Sequence, residues 1–229
     1  MTPTTPATST TEAGRNTPVF DLSGALREVS PSRSPAAITE DLMPEIKESF
    51  WLLVSSNAVI NGQENQALRM IFERALPSGV SVAFDLDWQP QHWGLPPASP
   101  PSAEVLRRIR PLVEGAQLIR CTSAEADTLF GSRDPVRIHD MLPQRPAVLI
   151  SSPAGGLDWC IGGRSGRLDP EMLQDHEVFL ARLMDNLCTN PQLLGSAGPG
   201  IDAVADPDGL AEQLLSAAAA SVSPEPVQD

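Results

Sequence analysis

The strongest constraint on the fold is a repeated alternation of short apolar runs with amphipathic segments. The runs FWLLVSS, GVSVAFDLD, AQLIRCT and PAVLISS begin at Phe50, Gly79, Ala116 and Pro146, and none alternates regularly with polar residues. Strands of this kind are buried on both faces. The intervening segments ENQALRMIFERAL and SAEVLRRIRPLVEG carry apolar residues at helical spacing. The pattern predicts an α/β protein with an open, mainly parallel sheet and helices on both faces.

Further elements are predicted towards the end of the chain. The run GLDWCIGG follows a glycine-containing turn and is typical of an antiparallel neighbour to the preceding strand. Two helices are predicted, at Pro170–Cys188 and Pro207–Val222. With 229 residues, 41% of them hydrophobic, the chain is expected to form one domain over residues 19–222.

Both ends of the chain are predicted to be disordered tails. Residues 1–18 are rich in Thr, Pro, Ser and Ala and, apart from Met1, have no large apolar side chain to offset the entropy cost of ordering. Residues 223–229 have the same character. A cytoplasmic location is expected, and an organelle stroma is the alternative if residues 1–18 are a targeting segment.

The charge balance and the cysteines limit the classes of ligand. Lys and Arg number 16 against 29 Asp and Glu, a net charge of -13, which argues against direct nucleic-acid binding. No run is long enough to span a membrane, so no membrane partner is expected. Cys121, Cys160 and Cys188 are widely separated and lack the spacing of a zinc site.

Candidate site residues follow three of the predicted strands. Ligands of open α/β sheets bind outside the carboxyl ends of the strands. The residues at those ends that are suited to a metal or a phosphate are Asp85, Asp87, Thr122, Glu125, Ser151 and Gly156.

Two of these segments have structural alternatives. Thr122 and Glu125 have the spacing of a helix capping box, which we favour on spacing alone. The turn SPAGG is more typical of a hairpin than of a phosphate site, because Pro153 lacks an N–H donor.

Taken together and in order, these segments resemble the ribokinase/PfkB family of carbohydrate kinases, particularly its fructokinase-like branch. VSVAFDLDWQPQHW resembles the family pattern F-D-x-N-x-R-x-x-x-W, AQLIRCTSAEADTLFG resembles N/S-x-x-E followed by L-x-G, and VLISSPAGG resembles V-T-x-G-x-x-G. The agreement covers about residues 40–222. The resemblance implies a ribokinase-like fold with ATP and Mg²⁺ as cofactors. It also implies metal ligands at Glu125, Asp85 and Asp87, and nucleotide contacts at Ser151, Gly156 and Thr122.

Several positions depart from the family pattern. Asp87 replaces the family Asn, Gln89 replaces the family Arg, and Pro153 replaces the first glycine of the nucleotide turn. The change at Gln89 removes a cation from a site that would receive anions.

The largest departure lies in LQDHEVF, where the family has G-A-G-D-x-F. The family glycines and catalytic aspartate are replaced by Gln174, Asp175, His176 and Glu177. The resemblance therefore places Glu177 at the position of the family's catalytic base. Loss of one anion-hole donor costs about 10²–10³ in rate. We therefore expect a non-catalytic carbohydrate kinase-like protein that binds a protein or, weakly, a nucleotide. The alternatives are an active sugar kinase completed by a partner chain and a structural remnant without a ligand.

The family's first strands, its sugar site and its lid have no counterpart in residues 1–40. The sheet is therefore expected to end at Phe50–Ser56 and to expose an apolar edge strand. Such edges invite pairing, so a partner protein or a second copy of the chain is expected to cover it.

Overall fold

The computed structural model describes residues 17–29, 32–173, 175–189 and 207–222. Within these ranges, seven strands form one sheet, whose spatial order is the same as the order along the chain. Strands β1 to β5 are parallel, and β6 and β7 are antiparallel to their neighbours. Their bounds are β1 Thr17–Asp21, β2 Ser49–Ser55, β3 Ser81–Asp85, β4 Leu118–Thr122, β5 Ala147–Ser151, β6 Leu157–Ile161 and β7 Arg164–Leu168.

The helices form two layers. The described helices are α1 Leu22–Glu28, α2 Pro35–Lys47, α3 Gly62–Ala75, α4 Ala103–Gly115, α5 Ser123–Phe130, α6 Pro135–Met141, α7 His176–Thr189 and α8 Pro207–Val222. Because parallel strands follow one another in chain order, right-handed crossovers place α1 to α6 on one face of the sheet. Helices α7 and α8 cover the other face.

Two buried clusters confirm this arrangement. Leu52, Val82 and Phe84 pack with residues of α1 to α6. Trp51 and Ala83, the neighbours of Leu52 and Val82 along their strands, pack with residues of α7 and α8. Successive strand residues point to opposite faces, so each central strand is buried on both sides. The predicted parallel sheet with helices on both faces is confirmed.

The predicted edge of the sheet is wrong. β2 is an interior strand, because β1 pairs with it in parallel from Thr17 opposite Ser49 to Asp21 opposite Leu53. The segment TPVFD has few apolar side chains, but strand pairing depends mainly on its backbone groups. β1 also includes the last two residues of the predicted N-terminal tail, 17 and 18, whereas residues 1–16 and 223–229 lie outside the described ranges.

β7 has no apolar run in the sequence, because Arg164 and Arg167 are exposed on an edge strand. It pairs with β6 through a tight turn at Gly162 and Gly163, whose φ angles of 56° and 76° suit glycine. The predicted helix from Pro170 begins later, at His176, after a short 3₁₀ turn. Over the part of the chain that the structure describes, no helix is both long and apolar enough to cross a membrane.

Candidate functional site

A cleft of about 460 Å³ opens at the carboxyl ends of β3, β4 and β5. Five of the seven predicted site residues line this cleft: Asp85, Asp87, Thr122, Glu125 and Ser151. They meet because parallel strands bring their carboxyl ends to one edge of the sheet. Trp88, Arg120 and Cys121 also line it.

The carboxylate of Glu125 is held by donors from its own chain. Its Oε2 accepts hydrogen bonds from the N–H and the hydroxyl of Thr122, at 2.6 and 2.8 Å. Its Oε1 accepts from the N–H of Trp88 at 2.7 Å. The Thr122 hydroxyl in turn accepts from the N–H of Glu125 at 3.3 Å. The capping-box interpretation is therefore confirmed, and Glu125 also ties α5 to the loop after β3.

Asp85 forms an ion pair with Arg120. The two residues are register partners on β3 and β4, and Nε of Arg120 donates to Oδ1 of Asp85 at 3.1 Å. Their side chains are only 13% and 16% exposed, so neither charge is well solvated. Arg120 was not among the predicted site residues. It could have been identified from the sequence, because it is the one cation within the four apolar runs.

Asp87 has a strained backbone, with a φ of 35° in the left-handed region. Both of its carboxylate oxygens accept from Nε2 of Gln89, at 2.9 and 3.0 Å, and Oδ2 accepts from Nδ2 of Asn57 at 3.4 Å. The hydroxyl of Ser56 donates to the Asp87 carbonyl at 3.2 Å. Neutral groups therefore hold the charge of Asp87.

The three carboxylates are each engaged by groups of the chain itself. Within the described ranges, no group of three or more His, Cys, Asp and Glu residues is arranged to hold a metal ion. Asp85, Asp87 and Glu125 instead bind a guanidinium, side-chain amides and a helix cap. Three carboxylates against the single guanidinium of Arg120 leave the lining of the cleft with two negative charges.

Gly156 lies in the turn between β5 and β6 rather than in the lining of the cleft. The N–H of Ser152 donates to its carbonyl at 3.2 Å. Its φ is 81°, and a Cβ there would lie 2.5 Å from the carbonyl oxygen of Leu168. The glycine is therefore required by the hairpin, as the alternative interpretation of SPAGG predicted.

At the start of α7, Oδ1 of Asp175 accepts from the N–H of Val178 at 3.0 Å. Asp175 therefore occupies the N-terminal end of the helix. Gln174 and the side chains of His176 and Glu177 lie outside the described part of the structure, so the candidate base Glu177 has no described geometry.

The other two histidines, His92 and His139, have different hydrogen-bond partners and lie on different elements. Nδ1 of His92 lies 3.3 Å from Oδ1 of Asn57, whose Nδ2 donates to Asp87. His139 is buried, with Nδ1 2.8 Å from the carbonyl oxygen of Pro146.

Several solved structures are similar to this chain. The fructokinase from Xylella fastidiosa with bound ATP matches 78% of the chain at 17% identity, with a TM-score of 0.58. The fold is ribokinase-like. The PfkB protein from Polaromonas sp. JS666 matches 83% of the chain at 16% identity and a TM-score of 0.57. The aminoimidazole riboside kinase from Salmonella enterica, complexed with aminoimidazole riboside and an ATP analog, matches 75% at 18% identity and a TM-score of 0.53.

The similarity covers only part of each of those proteins. This chain spans 54%, 58% and 54% of the fructokinase, the PfkB protein and the riboside kinase, respectively. No protein-family model and no curated protein matches the chain. The comparisons therefore establish the ribokinase-like fold.

Proposed function

We propose that this chain is a non-catalytic protein with a ribokinase-like fold, which acts by binding and does not transfer a phosphoryl group. The observation that carries the proposal is the engagement of Glu125, which corresponds in the resemblance to the glutamate associated with magnesium and phosphate. Three donors of the chain itself hold its carboxylate. A metal ion bound by both oxygens of this carboxylate would have to displace some of these hydrogen bonds and open the helix cap.

The charge of the cleft supports the same proposal. The triphosphate of ATP would enter a lining that carries two net negative charges, and the position of the family arginine is taken by neutral Gln89. At the start of α7, the carboxylate of Asp175 already binds a backbone N–H that would otherwise attract an anion. Nucleotide binding is therefore weak or lost in this proposal.

The proposed ligand class is a protein, either a different partner or a second copy of the chain. Among the described strands, β1 and β7 form the two edges of the sheet. β1 replaces β2 as the edge proposed for such a partner, because β2 is paired on both sides. Light scattering at micromolar concentration tests this part. A monomer at every concentration, with no partner recovered by cross-linking, would contradict it.

The catalytic part is tested by coupled ADP release from ATP and Mg²⁺, with fructose, ribose or aminoimidazole riboside as acceptor. We expect no sugar-dependent rate above that of a control without the protein. Saturable turnover would contradict the proposal. If that turnover were also lost in Glu177→Gln, the alternative of an active sugar kinase would replace it.

A further inference from the structure

A second cavity, of about 520 Å³, lies beside the cleft, between the loop after β3 and helix α5. We call it the Trp88 cavity. Its size falls within the roughly 300–1,000 Å³ of small-molecule sites. The apolar part of its lining includes Leu86, Trp88, Pro100, Pro101, Ala124 and Leu129. Trp88 and Glu125 line both this cavity and the cleft, so the two spaces are adjacent.

The indole of Trp88 is fixed from several directions. Its backbone N–H donates to Glu125, and its ring Nε1–H donates to the carbonyl oxygen of Ser99 at 2.9 Å. The ring of Trp93 packs beside it, with centroids 5.9 Å apart at 39°. A wall that is already ordered costs little conformational entropy when a ligand binds. The cavity therefore has a preformed aromatic surface.

Backbone strain is concentrated in the loop that forms this wall. Asp87 precedes Trp88 with a φ of 35°, and Ala98 precedes Ser99 with a φ of 61°. Left-handed conformations of residues other than glycine cost on the order of 1 kcal/mol or more, and they cluster at binding sites. Each strained residue directly precedes a residue that fixes the indole in place: Asp87 precedes Trp88, which carries the indole, and Ala98 precedes Ser99, whose carbonyl accepts from it. The loop thus maintains the cavity at a cost in stability.

The charge of the lining selects the ligand. Among the described residues that line the Trp88 cavity, Glu125 is the only charged one. Asp87 adds a second carboxylate in the adjoining cleft. A carboxylate has about four acceptor positions, of which Glu125 uses three. An anionic ligand is disfavoured, whereas a cation gains from the carboxylates and from the face of an indole.

We propose that the Trp88 cavity binds a small organic cation. The apolar body of the ligand packs against Trp88, Pro100 and Leu129, and its ammonium group lies towards Glu125. This inference concerns a different space and ligand from the phosphoryl-transfer question. It stands or fails separately from the proposed function.

Calorimetric titration with three probes of similar size tests the proposal: benzyltrimethylammonium, benzyl alcohol and phenylacetate. We expect saturable binding of the cation, with an affinity about tenfold above that of the neutral probe, and no binding of the anion. Equal affinity for the three probes, or no binding of the cation at millimolar concentration, would overturn the proposal.

Matched variants locate the binding. Glu125→Gln should reduce the affinity for the cation about tenfold, towards that of the neutral probe, whereas Glu114→Gln, at an exposed carboxylate on α4, should leave it unchanged. Because Glu125→Gln also alters a helix cap, a second variant is needed. Ala124→Leu, at an exposed position of α5, fills the cavity without removing a contact of the fold. Undiminished binding in both variants would place the cation elsewhere and refute the site.

Discussion

Phe84 and Asp85 are neighbours in β3, yet they belong to two differently built regions. Phe84 is wholly buried among apolar side chains in the interior of the sheet. Asp85 lies at its carboxyl edge, where it pairs with Arg120, and Glu125 nearby accepts hydrogen bonds from Thr122 and Trp88. Apolar contacts are non-directional and depend on area, whereas the polar edge depends on individual partners. Substitutions in the two regions should therefore lower the free energy of unfolding for different reasons.

The largest effect is expected in the interior. Phe84→Ala removes a fully buried ring and leaves a cavity, which should lower the free energy of unfolding by about 3–5 kcal/mol. Urea unfolding followed by circular dichroism measures this. Phe130→Ala, at a partly buried ring on α5, is the matched control and should cost clearly less. Equal losses of unfolding free energy for the two variants would contradict the distinction between interior and periphery.

At the edge, Arg120→Met should lower the free energy of unfolding by about 3 kcal/mol, because it leaves the Asp85 charge buried without its cation. The double variant Arg120→Met/Asp85→Leu should recover most of that loss, since neither charge then remains. Arg110→Met removes an exposed ion pair with Glu114 and should change stability little. If Arg120→Met behaved like Arg110→Met, the ion pair would not be a structural element of the edge.

The helix cap should contribute less. Thr122→Ala removes the hydroxyl that accepts from the N–H of Glu125, and a loss of about 1 kcal/mol is expected. Thr128→Ala is the control on the same helix, because its hydroxyl donates only to the carbonyl oxygen of Ala124 within the helix. Thermal unfolding compares them. A larger loss for Thr128→Ala would contradict the assignment of the cap.

The smallest effect is expected for the reactivity of the cysteines. They lie both in the interior and beside the polar edge. Burial raises the pKa of Cys160 to about 11 and that of Cys188 to about 12. Burial raises the pKa of Cys121 as well, and the nearby carboxylates of Glu125 and Asp85 add to the shift. Iodoacetamide at pH 8 should therefore react slowly with the native protein and rapidly after unfolding in urea. Rapid labelling of the native chain would show that these thiols are accessible thiolates.

The same shifts determine how stability depends on alkaline pH. Above the ordinary thiol pKa of about 8.5, unfolded thiols lose protons while the folded ones retain them. The unfolded state then binds fewer protons, so the free energy of unfolding falls as the pH rises further. Replacing Cys160 with Ala should make this fall shallower.

The difference between the two regions also explains which elements could be predicted from the sequence. β2 to β5 were predicted to within about two residues, because continuous apolar runs are a local signal of burial on both faces. The bounds of α8 were predicted as found. β1 and β7 were missed, because an outer strand is defined largely by backbone pairing to its neighbour.

At the site, the meeting of Asp85, Thr122 and Ser151 was predictable from the parallel strands alone. The partner of each side chain was less predictable. The hydrogen bond from Trp88 to Glu125 and the pairing of Arg120 with Asp85 depend on how a loop and a neighbouring strand are placed. Only the capping box, which has a fixed spacing of three residues, was evident beforehand.

The central claim is that the carboxylates of the edge are committed to the structure and do not bind Mg²⁺ with ATP. Calorimetric titration of the full chain with ATP in excess Mg²⁺ tests this most directly, with Asp87→Asn/Gln89→Arg as the variant that restores the family pattern. We predict no saturable heat for the unmodified chain at micromolar to millimolar ATP, and tighter binding in the variant. Saturable, Mg²⁺-dependent binding of ATP to the unmodified chain at micromolar concentration, weakened by Glu125→Gln, would contradict the account.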